Sequence, residues 1–402
     1  MALSLTDTRP AEPHADVKRR LAEAVETNRA EILELSHRIH ANPEPAFEEL
    51  QASAWIAEVL ERHGYAVERP AGSLPTAIRA VRRGARGGSG PRVGILAEYD
   101  ALPGLGHGCG HNTMAAQGVG SAIALAAIAD ELPGEIVFLG TPAEERGSGK
   151  QVMIDDGLFE GIDAALLYHP CDRNHVLSEP LASEDVYVTF HGVQAHAAAD
   201  PWKGKNALDA LVLLFGSVGL WRQQLRPEAR VHGIVTEGGT AANIIPDRAA
   251  AWFMIRSLDQ AYYAEIRERF QALADAAALA TGTTVDVVFE GASRTMKRNT
   301  TLEERWVANA AAYGIEDQGP DSSSGSTDMG NVSWVCPTIH PELSIAPEGT
   351  PGHSIDFRDA AALPQADETT LLAATLIAQT AYELFADPAL VDAAWRDFRG
   401  DA

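Results

Sequence analysis

The chain has 402 residues, of which 46% are hydrophobic and 22% are charged, a composition typical of globular proteins. Its formal net charge of −24 at pH 7 argues against nucleic acid as a partner and against binding to an acidic membrane surface. At about 150 residues per domain, the length predicts two or three domains, each large enough to bury its own core.

The lack of recognisable targeting segments and the small number of cysteines favour the cytoplasm. No stretch of about 18 consecutive apolar residues is present, so we expect no transmembrane helix. The N-terminal segment lacks the basic start and apolar core of a secretory signal. The three cysteines, Cys109, Cys171 and Cys336, are too few and too dispersed for a disulfide framework. We therefore expect a protein without membrane association that works in a reducing compartment.

The N-terminal region predicts helices. Residues 1–14 are rich in Pro, Thr and Asp and predict a loose tail. Apolar residues recur at helical intervals over about 16–40, and the Asn-Pro pair that follows predicts the end of that helix. A second helix is expected over about 48–63. The glycine-rich stretch 82–92 predicts a loop at the tip of a hairpin.

Strands and helices then alternate along the chain. The expected strands are 92–98, 135–142 and 164–170, and the expected helices are 114–132 and 149–159. Strands separated by helices are typical of a parallel sheet that is covered by helices on both faces. We therefore predict an α/β fold with a mixed, mostly parallel sheet sandwiched by helices.

The pattern changes after about residue 180 and becomes that of a compact insert. Its strands are predicted at 183–192, 230–239, 248–257 and 284–291, and its helices at 206–226 and 260–282. The resulting βαββαβ order is that of a ferredoxin-like unit. The chain then returns to helices with one short apolar segment, 342–349. We therefore predict a catalytic domain in two parts, 15–180 and 293–390, and an inserted domain over 181–292.

Residues that can bind metals follow four of the strand segments. They are Asp100 with Cys109 and His111, then Glu144 and Glu145, then His169, and finally His353. Because ligands gather at the carboxyl ends of strands in open α/β sheets, we expect these residues to converge. Each has a simpler explanation on its own, as a buried thiol, a loop charge or a turn-capping histidine. As a set, they predict a metal site.

The residue types indicate what such a site does. A thiolate, imidazoles and a carboxylate are the usual ligands of zinc, and a thiolate can bridge two ions about 3.5–4 Å apart, the spacing of two-metal hydrolytic sites. Of two adjacent glutamates, one can bind metal while the other accepts a proton from the attacking water. We therefore expect two divalent ions, zinc, manganese or cobalt; ligand type alone does not choose among them.

Six motifs carry a resemblance that covers nearly the whole chain. In chain order they are LAEYDALPGLGHGCGHN, TPAEE, YHP, FHGVQAHAA, GGTAANIIPD and GHSIDF. The same motifs in the same order are typical of the amidohydrolase branch of the aminoacylase and carboxypeptidase-G-like metallopeptidases, the M20 peptidase family. The chain resembles this family strongly, because several of the motifs are individually distinctive.

The resemblance implies roles for the candidate residues of the first domain. It implies that Cys109 bridges the two ions, that His111 and Glu145 bind one ion each, that His169 and His353 supply one further ligand to each ion, and that Glu144 is the general base. Asp100, in the first motif, is counted with the catalytic residues.

The resemblance also implies roles for the insert, as a lid and as the dimerisation surface of a homodimer. His196 resembles the histidine that reaches the active site of the partner subunit and polarises the scissile carbonyl. Asn243 and Arg256 resemble residues that hold the carboxylate of the substrate. A guanidinium suits this purpose because it can bind both carboxylate oxygens. Without the resemblance, His196 is a histidine with no role and Arg256 is a surface charge.

Two positions depart from the pattern of many members. Asn112 stands where many have aspartate after the CGH triplet, and Glu98 stands where many have aspartate. With GSTDMGNVSW at 325–334, these features resemble the sub-branch of dipeptidases and aminobenzoyl-glutamate hydrolases.

The sequence therefore predicts metal-dependent hydrolysis of an amide bond. The substrate class is a small N-acyl amino acid, a dipeptide or an aryl-glutamate, with a free carboxylate. The alternative is a non-catalytic homodimer that keeps the fold and binds a metal or another ligand. A serine hydrolase is not supported because no G-x-S-x-G motif occurs. A zincin and a P-loop protein lack support because H-E-x-x-H and the Walker lysine are absent.

Overall fold

The protein is described by a computed structural model over residues 14–86, 89–176, 180–319 and 325–401. The tail predicted for residues 1–14 lies outside these ranges except for His14, and so does part of the predicted loop at 82–92. Among the described residues, no helix is long and apolar enough to cross a membrane.

The helices of the described ranges are numbered in chain order. They are α1 (Ala15–Thr27), α2 (Arg29–Ala41), α3 (Leu50–Arg62), α4 (His111–Ala126), α5 (Gly149–Asp155), α6 (Ala207–Trp221), α7 (Gln260–Thr281), α8 (Thr300–Ala312), α9 (Met329–Val332), α10 (Ile355–Ala360), α11 (Pro364–Ala386) and α12 (Pro388–Arg399). Short 3-10 helices occur at Ala129–Glu131, Pro201–Lys203 and Arg222–Gln224.

The strands of the described ranges form two larger sheets and two short pairs. They are β1 (Ala66–Glu68), β2 (Ile78–Arg83), β3 (Arg92–Ala97), β4 (Glu135–Gly140), β5 (Ala164–Leu166), β6 (His169–Cys171), β7 (Ala182–His191), β8 (Ala195–His196), β9 (Arg230–Glu237), β10 (Ile244–Ile245), β11 (Arg248–Ser257), β12 (Thr284–Ser293), β13 (Thr338–Ile339) and β14 (Glu342–Ser344).

The main sheet has the strand order β1-β2-β4-β3-β5-β13. β4, β3, β5 and β13 run parallel, whereas β1 and β2 pair antiparallel. The predicted α/β fold with a mixed, mostly parallel sheet is confirmed. The predicted hairpin around 82–92 is wrong, because β2 and β3 pair with opposite edges of β4 and not with each other. Parallel pairing with β4 and β5 uses both edges of β3, so no edge is left for β2.

One hydrophobic core joins the two ends of the chain around the main sheet. α4 is buried along nearly its whole length. It packs so close to β3 that a Cβ on Gly118 would be 2.8 Å from Ala97 Cβ. Trp306 and Leu376, from α8 and α11, belong to the same cluster of buried residues as Ile95 of β3. The C-terminal helices therefore complete the core that the N-terminal part begins. The predicted domain limits at 180 and 293 stay predictions.

The residues predicted as an insert form the second sheet. Its order is β12-β7-β11-β9, and every pair is antiparallel. The strands, with α6 and α7, follow the predicted βαββαβ order. Phe190, Leu214, Phe253 and Phe270 belong to a separate hydrophobic core between this sheet and its two helices. The short β8–β10 pair was not predicted, because two-residue strands leave no periodic pattern.

The first predicted helix, 16–40, is wrong in one respect, because it consists of two helices that meet at Asn28. This residue leaves helical geometry, with φ of −102° and ψ of 14°. Its side-chain amide donates a hydrogen bond to Ala24 O at 2.8 Å. An asparagine that bonds to nearby backbone competes with the helical hydrogen bonds. Apolar periodicity does not report the break, because Leu21 of α1 and Ile32 of α2 pack into the same core.

A buried ion cluster joins three distant segments at the edge of the main sheet. Lys150 of α5 places Nζ 2.5 Å from Glu98 Oε1, after β3, and 2.5 Å from Asp328 Oδ1, before α9. None of the three side chains is exposed to solvent. Burial lowers the pKa of Lys150, but the two carboxylates outweigh this effect and raise that pKa above its usual value. The lysine therefore remains a cation inside the protein.

We expect Lys150→Met to lower the free energy of unfolding by about 3–5 kcal/mol, because two buried carboxylates lose their cation. Chemical denaturation of the metal-free protein measures this loss. Lys203→Met is the control, since Lys203 forms an exposed pair with Asp200 and should contribute only about 0–1 kcal/mol. An equally small loss for Lys150→Met would contradict the assigned role of the cluster.

Candidate metal centre and cavity

The centre lies where the parallel strands of the main sheet end. Glu98 and Asp100 directly follow β3, and both side chains are buried. The loop that follows enters α4 at Gly110, where φ is 78°. A Cβ at Gly110 would also lie 2.7 Å from Pro170 Cγ, so both the turn and the space require glycine. This turn fixes His111 as the first residue of α4.

Asp100 sets the orientation of His111. Its backbone O and its Oδ1 lie 3.0 and 3.1 Å from His111 Nδ1. When Nδ1 donates its proton there, Nε2 presents a lone pair. Nε2 lies 3.2 Å from Glu98 Oε2 and 4.0 Å from Glu145 Oε1. Burial lowers the pKa of His111, but Cys109 and the neighbouring carboxylates outweigh this effect and raise it well above its usual value. The ring is thus surrounded by acidic groups.

Cys109 and His169 face each other at the same sheet edge. Cys109 Sγ lies 3.5 Å from His169 Nε2, and His169 Nδ1 lies 2.7 Å from Pro170 O. When Nδ1 donates to that carbonyl, Nε2 presents its lone pair toward the sulfur. Burial raises the pKa of Cys109, and the charge of Glu145 raises it further. Coordination to a metal would reverse this effect, because it deprotonates a thiol.

A strained turn after β4 presents Glu144 and Glu145. Ala143 has a φ of 60°, a conformation that costs energy for a residue other than glycine. Its N–H donates to Glu49 Oε1 at 2.9 Å, and the Glu145 N–H donates to Asp100 Oδ2 at 2.9 Å. Burial raises the pKa of Glu145 to about 7. Burial and neighbouring carboxylates raise the pKa of Glu144 well above its usual range.

His353 lies on the open side of the centre. It has a φ of 55°, and its N–H donates to Gly108 O at 2.9 Å. Its Nε2 is 3.6 Å from Glu145 Oε2, and 58% of its side chain is exposed. The other predicted ligands are more deeply buried. Access to the centre is therefore from the side of His353.

All five predicted ligands belong to two groups that share Cys109. One group is Cys109, His111 and His169, and the other is Cys109, Glu145 and His353; within each group the ligand atoms lie within 4.8 Å of one another. Thiolate, imidazole and carboxylate are the donors found in zinc sites. Among the described residues, His111 Nε2 and Glu145 Oε1 are buried and form no hydrogen bond, as expected of atoms whose partner is a cation. The residues therefore fit two divalent ions with Cys109 between them.

Residues that the sequence analysis did not assign to the site complete its surroundings. Glu98 forms a third group with His111 and Glu144, again with ligand atoms within 4.8 Å. Lys150 holds Glu98 from behind and also binds Asp328. The position of Glu98 directly after β3 could have indicated that it belongs to the site. Asp328 lies in the GSTDMGNVSW segment that the sequence analysis noted, but no role was assigned to it there. Lys150 gave no signal, because most charged residues in helices are exposed.

The centre opens into a cavity of about 510 Å³, which also reaches β11 of the second sheet. Arg256 of β11 lines it, with Nε and Nη2 3.1 and 2.9 Å from Met254 Sδ. Burial lowers the pKa of this guanidinium. Within the described ranges, no carboxylate lies at ion-pair distance from it. A half-buried guanidinium without a carboxylate partner is suited to bind a carboxylate of a ligand.

Asp100, His196 and Asn243 do not line this cavity. Asp100 is buried behind the ligands. His196 and Asn243 are exposed and lie together at the β8–β10 pair. His196 Nδ1 accepts hydrogen bonds, at 3.2 and 3.1 Å, from the N–H groups of the second and third residues after it. A single chain thus does not bring these two side chains into its own cavity, and their roles in a partner's site stay predictions.

Comparison with known proteins gives one consistent result. Residues 94–370 match the model of Peptidase family M20/M25/M40. The chain is 38% identical to the Xaa-Arg dipeptidase of Mus musculus, with 97% of this chain and 96% of the relative covered. It is 36% identical to the Xaa-Arg dipeptidase of Homo sapiens, with 95% and 92% covered. It is 28% identical to one subunit of the p-aminobenzoyl-glutamate hydrolase of Escherichia coli, with 94% and 93% covered.

Solved structures share the fold. An aminobenzoyl-glutamate utilization protein from Klebsiella pneumoniae matches with a TM-score of 0.74 and 20% identity, over 90% of this chain and 98% of that one. A dinuclear metal-binding peptidase of the M20 family from Bacillus subtilis matches with a TM-score of 0.70 and 20% identity, over 90% and 99%.

These matches confirm the resemblance that the sequence motifs carry, and they do not favour the non-catalytic alternative. The family model covers more than half of the chain, and the two dipeptidases align over nearly all of it. The chain belongs to Peptidase family M20/M25/M40 and is a hydrolytic enzyme that acts on amide bonds.

Proposed function

We propose that the protein is a two-metal dipeptidase that cleaves the amide bond before a C-terminal residue with a cationic side chain and a free carboxylate. The observation that carries this proposal is the convergence of five ligand residues on a centre shared through Cys109. Two relatives named as Xaa-Arg dipeptidases, 38% and 36% identical, support the substrate class. N-acyl amino acids and aryl-glutamates are the other candidate substrates.

The ligand residues would hold two divalent ions. Cys109, His111 and His169 would hold one, and Cys109, Glu145 and His353 the other. Zinc, manganese and cobalt all suit these donors. When bound, such ions bring the pKa of a coordinated water towards about 7 and polarise the carbonyl of the substrate. Asp100 supports them indirectly, because it holds His111 in the orientation that leaves Nε2 free.

Glu144 is the residue placed to move a proton. It lines the cavity, adjoins Glu145 and lies outside both ligand groups that share Cys109. Its carboxylate takes a proton from the attacking water and passes it to the nitrogen of the leaving amine. A general base must lie within hydrogen-bond reach of the proton it takes, and the position of Glu144 in the cavity wall, next in sequence to the ligand Glu145, supports this role.

Arg256 positions the substrate. Its guanidinium, on β11 in the wall of the cavity, pairs with the carboxylate of the C-terminal residue. This ion pair holds the substrate in place and so reduces the entropy lost in reaching the reactive geometry.

A second copy of the chain completes the site in this proposal. His196 and Asn243 are exposed side by side on the insert, away from their own cavity. In a homodimer, the insert would present them to the other subunit, where His196 stabilises the developing oxyanion and Asn243 helps to hold the carboxylate.

The expected location is the cytoplasm, and the three cysteines, none of which forms a disulfide among the described residues, are consistent with its reducing conditions.

Glu144→Gln tests the assigned base. We expect turnover of alanyl-arginine to fall by about 10² to 10⁴ because no group accepts the proton of water. The metal content, measured by inductively coupled plasma mass spectrometry, should not change. Glu160→Gln, an exposed acid on the surface, is the control and should keep full activity. Activity of Glu144→Gln within a few-fold of the wild type would show that another group is the base.

Cys109→Ala tests the shared ligand. Because Cys109 belongs to both groups, its loss should weaken the binding of both ions by at least about 10- to 100-fold, the loss typical of residues that only support ligands. Equilibrium dialysis measures metal affinity directly. Cys336→Ala is the control, since this buried cysteine belongs to none of the ligand groups. Retention of two tightly bound ions by Cys109→Ala would exclude a bridging thiolate.

Arg256→Met tests the carboxylate contact. Loss of a charge-assisted hydrogen bond should raise KM for alanyl-arginine by about 10- to 100-fold. The same dipeptide with an amidated C-terminus should bind wild type and variant equally weakly. Arg248→Met is the control, because Arg248 is an exposed arginine of the same strand. A variant that still prefers the free carboxylate would refute the contact.

A further inference from the structure

The segment between β13 and β14 lines the same cavity and has no role in the chemistry proposed above. β13 ends at Ile339, His340 and Pro341 follow, and β14 begins at Glu342. Since β14 pairs in parallel with β6, Glu342 lies opposite His169 in the strand register. His340 and Glu342 both line the cavity. Two side chains able to bind a ligand are thus held beside the metal centre.

His340 is a buried polar side chain that lacks a partner. It is only 5% exposed, and neither ring nitrogen has a hydrogen-bond partner among the described residues. Its ring packs edge-on against that of His169, with the centroids 5.3 Å apart. An imidazole ring has two nitrogens that can take part in hydrogen bonds. Because leaving buried polar atoms unsatisfied costs stability, a ligand group that bonds to one of them would be stabilised.

Glu342 supplies the charge that a cationic group needs. Within the described ranges, its half-buried carboxylate has no ion pair or side-chain hydrogen bond. Asp172, another acid of the cavity, is already engaged, because its Oδ2 accepts from the Gly349 N–H at 2.6 Å and its Oδ1 lies 3.5 Å from Arg173 Nε. Glu144 and Glu145 belong to the catalytic centre. Glu342 is therefore the acid of the cavity wall that remains available to a substrate.

The described residues do not assign His340 and Glu342 to a metal group. Within the described ranges, neither belongs to a group whose ligand atoms lie within 4.8 Å of one another. An imidazole nitrogen and an unpaired carboxylate in the wall of the same cavity instead suit a group with several N–H donors and a positive charge. A guanidinium or an ammonium has this chemistry.

We propose that His340 and Glu342 form the subsite for the cationic side chain of the substrate's C-terminal residue. This inference rests on the proposed dipeptidase function and assigns the specificity of that site. Glu342 accepts charge-assisted hydrogen bonds from the guanidinium or ammonium, and His340 accepts one more. Arg256 binds the carboxylate of the same residue. The cavity is thereby complementary to a residue that carries both charges.

The same arrangement selects against acidic substrates. The side-chain carboxylate of an aryl-glutamate would face Glu342, and two like charges in a partly buried cavity repel each other. The subsite therefore favours dipeptides with a C-terminal arginine, lysine or ornithine over the glutamate conjugates that one relative is named for.

The test compares alanyl-arginine with alanyl-citrulline, whose side chain has nearly the same shape without the charge. We expect metal-loaded Glu342→Gln to lower the ratio of kcat/KM for the two dipeptides by about 10- to 100-fold, mainly through KM for alanyl-arginine. Glu348→Gln is the matched control, since Glu348 lies outside the cavity and is 70% exposed; it should keep the wild-type ratio.

A second variant tests the histidine. His340→Phe keeps an aromatic ring against His169 but removes the acceptor nitrogen, so it should lower the same ratio by about 5- to 10-fold. Metal content and the thermal unfolding midpoint, measured on both variants, separate a loss of specificity from damage to the metal centre or the fold. A fallen ratio at unchanged metal content supports the subsite.

The outcomes distinguish the subsite from the function on which it rests. An unchanged arginine preference in metal-loaded Glu342→Gln would overturn the subsite and leave the dipeptidase proposal standing. If the wild type cleaved neither dipeptide, the proposed function would fail, and calorimetry with free arginine and citrulline would then decide on the subsite alone. Tighter binding of arginine that Glu342→Gln abolishes supports it, and equal binding of the two amino acids overturns it.

Discussion

Repulsion among buried carboxylates is the constraint on which the rest of the site depends. Glu98, Asp100, Glu145 and Asp328 are all buried at one edge of the main sheet, with Glu144 beside them. Carboxylates this close cannot all stay ionised without cations. Lys150 supplies one cation from behind, and the two groups that share Cys109 are built to bind two more. The buried carboxylates thus destabilise the metal-free centre through their repulsion, and the same repulsion favours the binding of metal ions.

Metal binding and substrate recognition are assigned to different parts of the fold. Ligands follow parallel strands whose core fixes their positions, so the metal centre inherits the rigidity of the main sheet. We assign substrate recognition to other residues of the cavity wall, which are Arg256 from the second sheet, and His340 and Glu342 from the segment before and at β14. In this assignment, substrate preference could change through these residues without a change of the metal ligands, and relatives named for different substrates occur in the same comparison.

The sequence predicted the features that have a local signature. Alternating strands and helices indicated the α/β fold, and the expected convergence at carboxyl strand ends brought together Cys109, His169 and His353. It could not predict contacts between distant segments. The predicted hairpin was wrong because strand pairing depends on tertiary contacts. The predicted first helix was wrong because the chain leaves helical geometry at Asn28, whose side chain donates a hydrogen bond to Ala24 O. Lys150 and His340 look like surface residues in the sequence, and only packing shows that both are buried.

Charge connects the composition of the chain to the substrate that its cavity fits. A net charge of −24 repels acidic molecules over a distance of about one Debye length, roughly 8 Å at physiological ionic strength. An aryl-glutamate carries two carboxylates and meets this repulsion before it reaches the cavity. A dipeptide ending in arginine or lysine carries an extra positive charge and is attracted instead. The net charge and the proposed subsite at Glu342 would therefore select in the same direction, one during approach and the other after binding.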